Sequence, residues 1–302
     1  MLRPFALYQP STLAEAAEVL GGEGSEAALY AGGTELLLLL KEGLLRVRSL
    51  VDLKRIPGLG AITSDNGHLS IGAIATHRAV EGSVLVRARC PIVAEVARHV
   101  ANIRVRTVGT VGGNLAFADP HSDLATLFLT LDATVRLAGP RSERDVDLGD
   151  FVLGPYETAR AEDEILVAVR LRPWPPGTAG TYVKYGVHER PTLGVAVALT
   201  AGEGGGLATD VRIAVGCVGP RPQRLPAAEE PARGRSVADL ARHADEIAAR
   251  AATDVDPTAD LHGSAEYKRE MTRVFVRRAL VIAAARAAGQ ISHERYPHTI
   301  VA

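Results

Sequence analysis

The stretch Thr107–Leu124, TVGTVGGNLAFADPHSDL, holds a Gly-Gly pair, an Asn, an Asp-Pro and a second Asp, yet no lysine or arginine. A similar knot, YAGGTEL, occupies Tyr30–Leu36. A diphosphate needs hydrogen-bond donors close to its oxygens. Backbone N–H groups supply them where glycine removes the Cβ or where a turn forms an anion-binding nest. A following helix adds the partial positive charge of its N-terminus, so amides can hold phosphates without a lysine. Thr34, Thr110 and Asn114 add side-chain donors, and Asp123 suits hydrogen bonds from ribose or ribityl hydroxyls. Taken singly, each pair is weak, because an isolated Gly-Gly is more often a plain turn. Neither is a GxGxxG or a GxxxxGK[ST] motif. Asp119-Pro120 also reads as a cap for the next helix, with Ser122 a rival cap, and Asp123 as a first-turn acid.

Outward from these loops the chain reads as short alternating elements. PSTLAEAAEVL offers Ser11 and Thr12 as N-caps, places Leu13, Ala16, Ala17 and Leu20 at helical spacing, and stops at Gly21-Gly22. Ala27 to Tyr30 is a strand running into the first glycine pair, Glu35 to Leu45 a helix, and RSLVDL a second strand. HLSIGAIAT then alternates as a strand, Thr76 begins a helix, and CPIVAEVARHVA is another with Pro91 in its first turn. SDLATLFLTLDA is apolar on most faces, while TVRLAG, DVDLGDFVLG and EILVAVRLRP suggest further sheet. PWPPG at Pro173–Gly177 reads as a rigid linker. Beyond it, TYVKYGV, GVAVALTA and DVRIAVGCVG are three strands, the last two joined by a GEGGG hairpin turn at Gly202–Gly206. Two helices, SVADLARHADEIAARAAT and SAEYKREMTRVFVRRALVIAAARAA, complete a separate α+β domain. The expected divisions are 1–56, 57–175 and 176–290, with a tail at 291–302.

Composition narrows the function classes. A net charge of −1 with scattered arginines gives no basic surface for nucleic acid or membrane. Two cysteines, Cys90 and Cys217, and no CxxC or Cys/His cluster exclude an iron–sulfur or structural zinc site on this chain, and read as buried small hydrophobes. The N-terminus lacks the basic head and apolar core of a signal peptide, and LLLLL at Leu36–Leu40 is far shorter than the roughly 20 residues of a membrane helix. The expectation is a cytoplasmic protein.

Together, YAGGTEL, LSIGAIATH (from Leu69), NIRVRTVGTVGGNLAFADPHSDLATLFLTLDA (from Asn102), EDEILVAVRL (from Glu162) and GSAEYKREMTRVFVRRAL (from Gly263) resemble the FAD-binding medium subunits of the molybdenum hydroxylases. That group includes the xanthine dehydrogenases and aerobic carbon monoxide dehydrogenases. The pieces occur in the family's order over nearly the whole chain. The resemblance implies an α+β fold: a two-part FAD domain of the vanillyl-alcohol-oxidase-like (PCMH) type, then a C-terminal domain of three strands plus helices. It implies that Leu29, Tyr30, Ala31, Gly32, Gly33, Thr34 and Glu35, with Thr110, Gly112, Gly113 and Asn114, embrace the diphosphate of a non-covalent FAD. Asp123 would hold a sugar hydroxyl, Val100 and Ala101 would line the channel, Ile165 and Leu166 would lie by the flavin ring, and Lys184 would approach it from the other side. Glu35 departs from the usual Asp or Ser. Tyr185 reads either as a flavin-stacking ring or as a plain strand aromatic, and His188, His77 and His121 as bystanders.

The implied function is that of an electron-transfer subunit with no residue catalytic toward the organic substrate. Electrons from a molybdenum cofactor on a large subunit would cross two [2Fe–2S] clusters on a small subunit, reach FAD here, and pass to an external acceptor. By family analogy the assembly is a dimer of heterotrimers. The rival readings are a standalone flavin oxidoreductase and an assembly module that has lost flavin.

Overall fold

The computed structural model describes residues 2–186, 190–202, 206–290 and 295–302. His188, the centre of the GEGGG turn and the first four residues of the expected tail lie outside the described residues.

Three larger sheets organise the described residues, with a small two-stranded one, Val152–Gly154 and Glu157–Thr158, beside them. The first is parallel: Ser49–Asp52 lies between Ala6–Tyr8 and Ala27–Tyr30. Parallel neighbours need a crossover, and the helix Leu36–Glu42 lies in it, so the first glycine pair stands at the turn from strand to helix. Ala6–Tyr8 is too short to show any period in the sequence. In the helix Leu13–Glu23, Thr12 is the cap and accepts from the Glu15 amide, while Ser11 donates to the Glu15 carboxylate. The stop expected at Gly21-Gly22 is wrong, because the helix runs on to Gly24 (φ 55°). Glycine costs a helix only about 1 kcal/mol, so the pair is carried through, and the helix stops where Gly24 takes a positive φ, a common form of helix end.

The second sheet is antiparallel, with Ile165–Leu171 at its centre between His68–Gly72 and Thr134–Ala138. The helices from His77–Gly82 to Asp123–Leu129 fill the gap between its second and third strands in sequence. Phe128, Leu131, Val135 and Val169 close its core with almost no exposure. The sheet expected through DVDLGDFVLG is broken by a short helix, Leu148–Phe151, that buries Leu148 and Phe151. Trp174 pins the expected linker: its indole N–H donates to the Thr130 carbonyl at 3.0 Å, and its ring lies where a Cβ on Gly180 would go.

The third sheet contains the three expected long strands, Thr178–Tyr185, Leu193–Ala201 and Ala208–Gly216. Two short edges, Gln223–Arg224 and Thr299–Val301, widen it to five. The end of the expected tail is therefore structural, since the Ala302 carbonyl accepts from the Tyr182 amide, Thr181 Oγ1 and Arg286. The region expected as one helix at 236–253 is two, Val237–Arg242 and Ala244–Asp254, parted at His243. The helix Ala265–Ala287 covers one face of the sheet with Phe275, Val276, Ala279 and Leu280. No helix among the described residues is long and apolar enough to cross a membrane.

Candidate functional site

A cavity of about 710 Å³ opens where the first two sheets and the loops of the third converge. That is the upper part of the range for sites that enclose a cofactor-sized ligand, roughly 300–1,000 Å³. The first glycine pair forms one wall. Gly33 holds φ +71°, a left-handed value that glycine adopts without strain, and a Cβ there would meet the Tyr30 ring. A Cβ on Gly32 would collide with the Val108 carbonyl and come within 2.9 Å of the Gly109 Cα. The two glycine stretches thus touch each other. Among the described residues, the amides of Gly32, Gly33 and Thr34 donate to nothing, and all three residues line the cavity. The three residues are only partly exposed, so this row of uncommitted N–H groups on the cavity wall is open to an external acceptor.

The second glycine pair works differently from the expectation. It is the first turn of a helix, Val111–Phe117, capped by Thr110. Its amides are already committed: Val111 donates to Ala75 O at 3.0 Å, Gly112 to Ala73 O at 2.9 Å, and Gly113 to Thr110 Oγ1 at 3.1 Å. Gly112 is needed for close approach, since a Cβ would stand 2.6 Å from that of Ala73. The donor this stretch still offers is the Asn114 side-chain amide, whose oxygen accepts from Ser122 Oγ at 2.6 Å. That bond orients the NH₂ group, which has no partner among the described residues.

Fourteen of the seventeen residues named from the sequence line the cavity. Leu29, Ala31, Glu35, Val100, Ala101 and Leu166 are on the wall with the glycines, Thr34, Thr110 and Asn114. Ala101 has φ 40° and is held there by Arg106, which donates to the carbonyls of Val100 (3.0 Å) and Ala101 (3.2 Å). Three residues are not on the wall. The Tyr30 ring turns to Lys54, whose ammonium sits 3.7 Å from its centroid. Ile165 alternates away from Leu166 and packs among Val51, Leu53 and Leu59. Lys184 is 2% exposed and spent elsewhere: its Nζ donates to Asp123 Oδ2 at 2.7 Å and to the His99 carbonyl at 3.2 Å.

Asp123, next in chain after the cap Ser122, reaches the cavity but is also a structural anion. Its Oδ1 accepts from the Tyr182 hydroxyl at 2.9 Å. Burial and then the Asp123 charge push that phenol well above its ordinary pKa, so it stays a donor. Tyr185 is not on the wall: its ring stacks on Phe275 at 4.6 Å and its hydroxyl meets that of Tyr267 at 2.9 Å.

The charged rim was not legible in the sequence. Arg190, from the third domain, donates to Asp119 Oδ2 at 2.8 Å and to Glu35 Oε2 at 3.3 Å, tying the first glycine loop across the cavity mouth. Burial raises the Asp119 carboxyl, but hydrogen bonds from His121 and Arg190 outweigh it and hold the pKa at about 2. Asp119 is thus an anchor for its neighbours and Ser122 is the cap. His121 also lines the cavity, with Nδ1 3.0 Å from Asp119 and Nε2 3.5 Å from Asp260. Apart from the Asp119–His121 pair, these partners lie far apart in sequence, and no local pattern signals them.

Comparison with known proteins agrees with this geometry. The family profile "FAD binding domain in molybdopterin dehydrogenase" matches residues 3–174, and "CO dehydrogenase flavoprotein C-terminal domain" matches residues 186–283. The chain is 34% identical to the carbon monoxide dehydrogenase medium chain of Hydrogenophaga pseudoflava, covering 94% of this chain and 98% of that one. It is 31% identical to the nicotine 6-hydroxylase medium subunit of Paenarthrobacter nicotinovorans, with 92% and 96% covered. Among solved structures it superposes on a chain of a Cu,Mo-CO dehydrogenase with a TM-score of 0.89 at 32% identity, over 95% of this chain and 99% of that one. Two unlinked stretches of glycine, a cavity between them, and likeness along nearly the full length lead to one conclusion: the chain belongs to the FAD-binding medium subunits of the molybdopterin-dependent dehydrogenases, a family of oxidoreductases.

Proposed function

We propose that this chain binds FAD non-covalently in the cavity and relays electrons within a larger complex. A large subunit would carry the molybdenum cofactor and a small one two [2Fe–2S] clusters, the unit pairing as a dimer of heterotrimers that delivers electrons to an external acceptor. The observation that carries the reading is the row of unpartnered amides at Gly32, Gly33 and Thr34, braced by the Val108–Gly109 backbone.

When bound, the flavin supplies the two-electron redox chemistry. The chain's own residues bind and orient. Gly32, Gly33 and Thr34 donate to the diphosphate, and the Asn114 amide adds a fourth donor from the facing helix. Asp123 retains lone pairs on both oxygens for a sugar hydroxyl, while Tyr182 and Lys184 hold it in place from behind. Lys184 therefore acts through Asp123. Val100, Ala101 and Leu166 form an apolar wall that excludes water from the ring. Covalent attachment through a thiol has no support: burial pushes Cys90 up to about 11 and Cys217 well above its ordinary value, and neither is on the wall.

The test is the absorption spectrum of the full chain, purified alone and then with its complex partners. A flavin spectrum released on denaturation supports FAD binding, and added iron–sulfur absorption on co-purification supports the relay. A chain that takes up no flavin in either setting would sink the proposal. The variant Gly32→Ala is expected to abolish flavin retention and to cost about 1–3 kcal/mol, because its methyl group meets backbone that cannot yield. Flavin content per chain and a thermal melt read both effects.

A further inference from the structure

One polar side chain on the cavity wall is left unexplained by the amide row. His77 is 3% exposed, begins the helix His77–Gly82 and lines the cavity. Neither of its ring nitrogens has a hydrogen-bond partner among the described residues, and Nδ1 is fully buried. A buried nitrogen without a partner is costly, so a fold that keeps one beside a cavity has left room for a partner from outside.

Its position says which part of a ligand that partner is. The His77 amide donates to the Gly109 carbonyl at 3.0 Å, and a Cβ on Gly109 would lie 3.3 Å from the ring Cδ2. Gly109 is also the residue against which Gly32 packs. A single glycine therefore separates the imidazole from the unpartnered amides. The charged group that bears on it is Arg106, whose Nε is itself buried without a partner. On the helix of His77 itself, Arg78 and Glu81 are paired with each other at 2.8 Å. The local field is thus positive, and it favours an anion.

We propose that His77 is a phosphate-binding residue: its ring N–H donates to a phosphate oxygen of the bound dinucleotide and completes the donor row of Gly32, Gly33 and Thr34. This rests on the reading that the cavity takes FAD. Burial, with Arg106 adding to it, holds the imidazole pKa down at about 4, so at neutral pH the ring binds as a neutral donor. The ring then contributes a hydrogen bond to the diphosphate without carrying a charge of its own in the empty site.

The experiment titrates the flavin-free full chain and its His77→Leu and His77→Gln variants with FAD and with riboflavin, which carries no phosphate. His77→Leu is expected to weaken FAD roughly ten- to hundredfold, the loss of one hydrogen bond to a charged group. Riboflavin binding should not change, and the flavin-free variant should melt no earlier than wild type. His77→Gln, which keeps a donor, should recover part of the FAD affinity. Unchanged FAD binding in His77→Leu would overturn the proposal. So would equal losses for FAD and riboflavin, or an affinity loss matched by a lower melting temperature of the flavin-free chain. A wild-type chain that takes neither probe would remove the cofactor reading as well, which the first titration shows by itself.

Discussion

Asp123→Ala is expected to destabilise the chain by about 3–5 kcal/mol. The variant leaves the Lys184 ammonium, 2% exposed, with only the His99 carbonyl as a partner, and strips the Tyr182 hydroxyl of its acceptor. Taking one member from a buried pair costs far more than the pair contributes, because the remaining charge is stranded away from water. Adding Lys184→Met should recover much of the loss, since an apolar chain of similar length needs no counter-ion. Urea unfolding of the two single variants and the double variant measures this, with the coupling read from the cycle. The effect should also loosen one seam in particular: Asp123 begins a helix beside the second sheet, while Tyr182 and Lys184 lie on a strand of the third. A cost below about 1 kcal/mol, the size of an exposed pair, would mean that Lys184 is not held as a buried charge.

Acidification supplies the second large effect. His77 titrates at about 4 in the fold against an ordinary value of 6.5. Above pH 6.5 both folded and unfolded chains carry it neutral, and it adds no pH dependence. As pH falls from 6.5 toward 4, the unfolded chain takes up the proton and the folded chain does not, so stability drops and levels off below 4. The total is about 3 kcal/mol at roughly 1.4 kcal/mol per unit. Asp119 acts in a lower window: held at about 2 against 3.8, it contributes stability that is lost only as pH falls through that range. Stability of the flavin-free chain at pH 7, 5.5 and 4 should fall more steeply in wild type than in His77→Leu, which keeps only the slope of carboxylates such as Glu164 and Asp145. A wild-type slope no steeper than that of the variant would show that the ring is not buried neutral. With FAD bound the slope should flatten, because a phosphate beside the ring favours its protonated form.

Much of the architecture was legible because it rests on local rules. Strand-to-helix placement of Gly32-Gly33 follows from an apolar run that ends in residues free to take positive φ, and Thr12, Thr76 and Ser122 cap helices as short polar side chains do. Most of the cavity wall was legible for the same reason, since its residues cluster in a few short stretches. Other details depend on packing. Gly112-Gly113 stands on the cavity wall as the glycine stretch suggests, but Thr110 and the Ala73–Ala75 backbone take its amides. Tyr30 and Ile165 sit next to true wall residues, yet a strand sends neighbours to opposite faces, and one residue decides the side.

By itself, then, the sequence determined where the chain must turn, which faces are apolar, and that two glycine stretches stand out as candidate walls of one site. These follow from backbone sterics and from periodicity, which act over a few residues. Only the tertiary structure decided which glycine amides remain free, that Arg190 bridges to Glu35, that Lys184 serves Asp123, and that His77 is buried without a partner. Those outcomes depend on what is packed against each group from distant parts of the chain. Burial and the hydrogen-bond partners it leaves available are properties of the folded surroundings, and no local pattern encodes them.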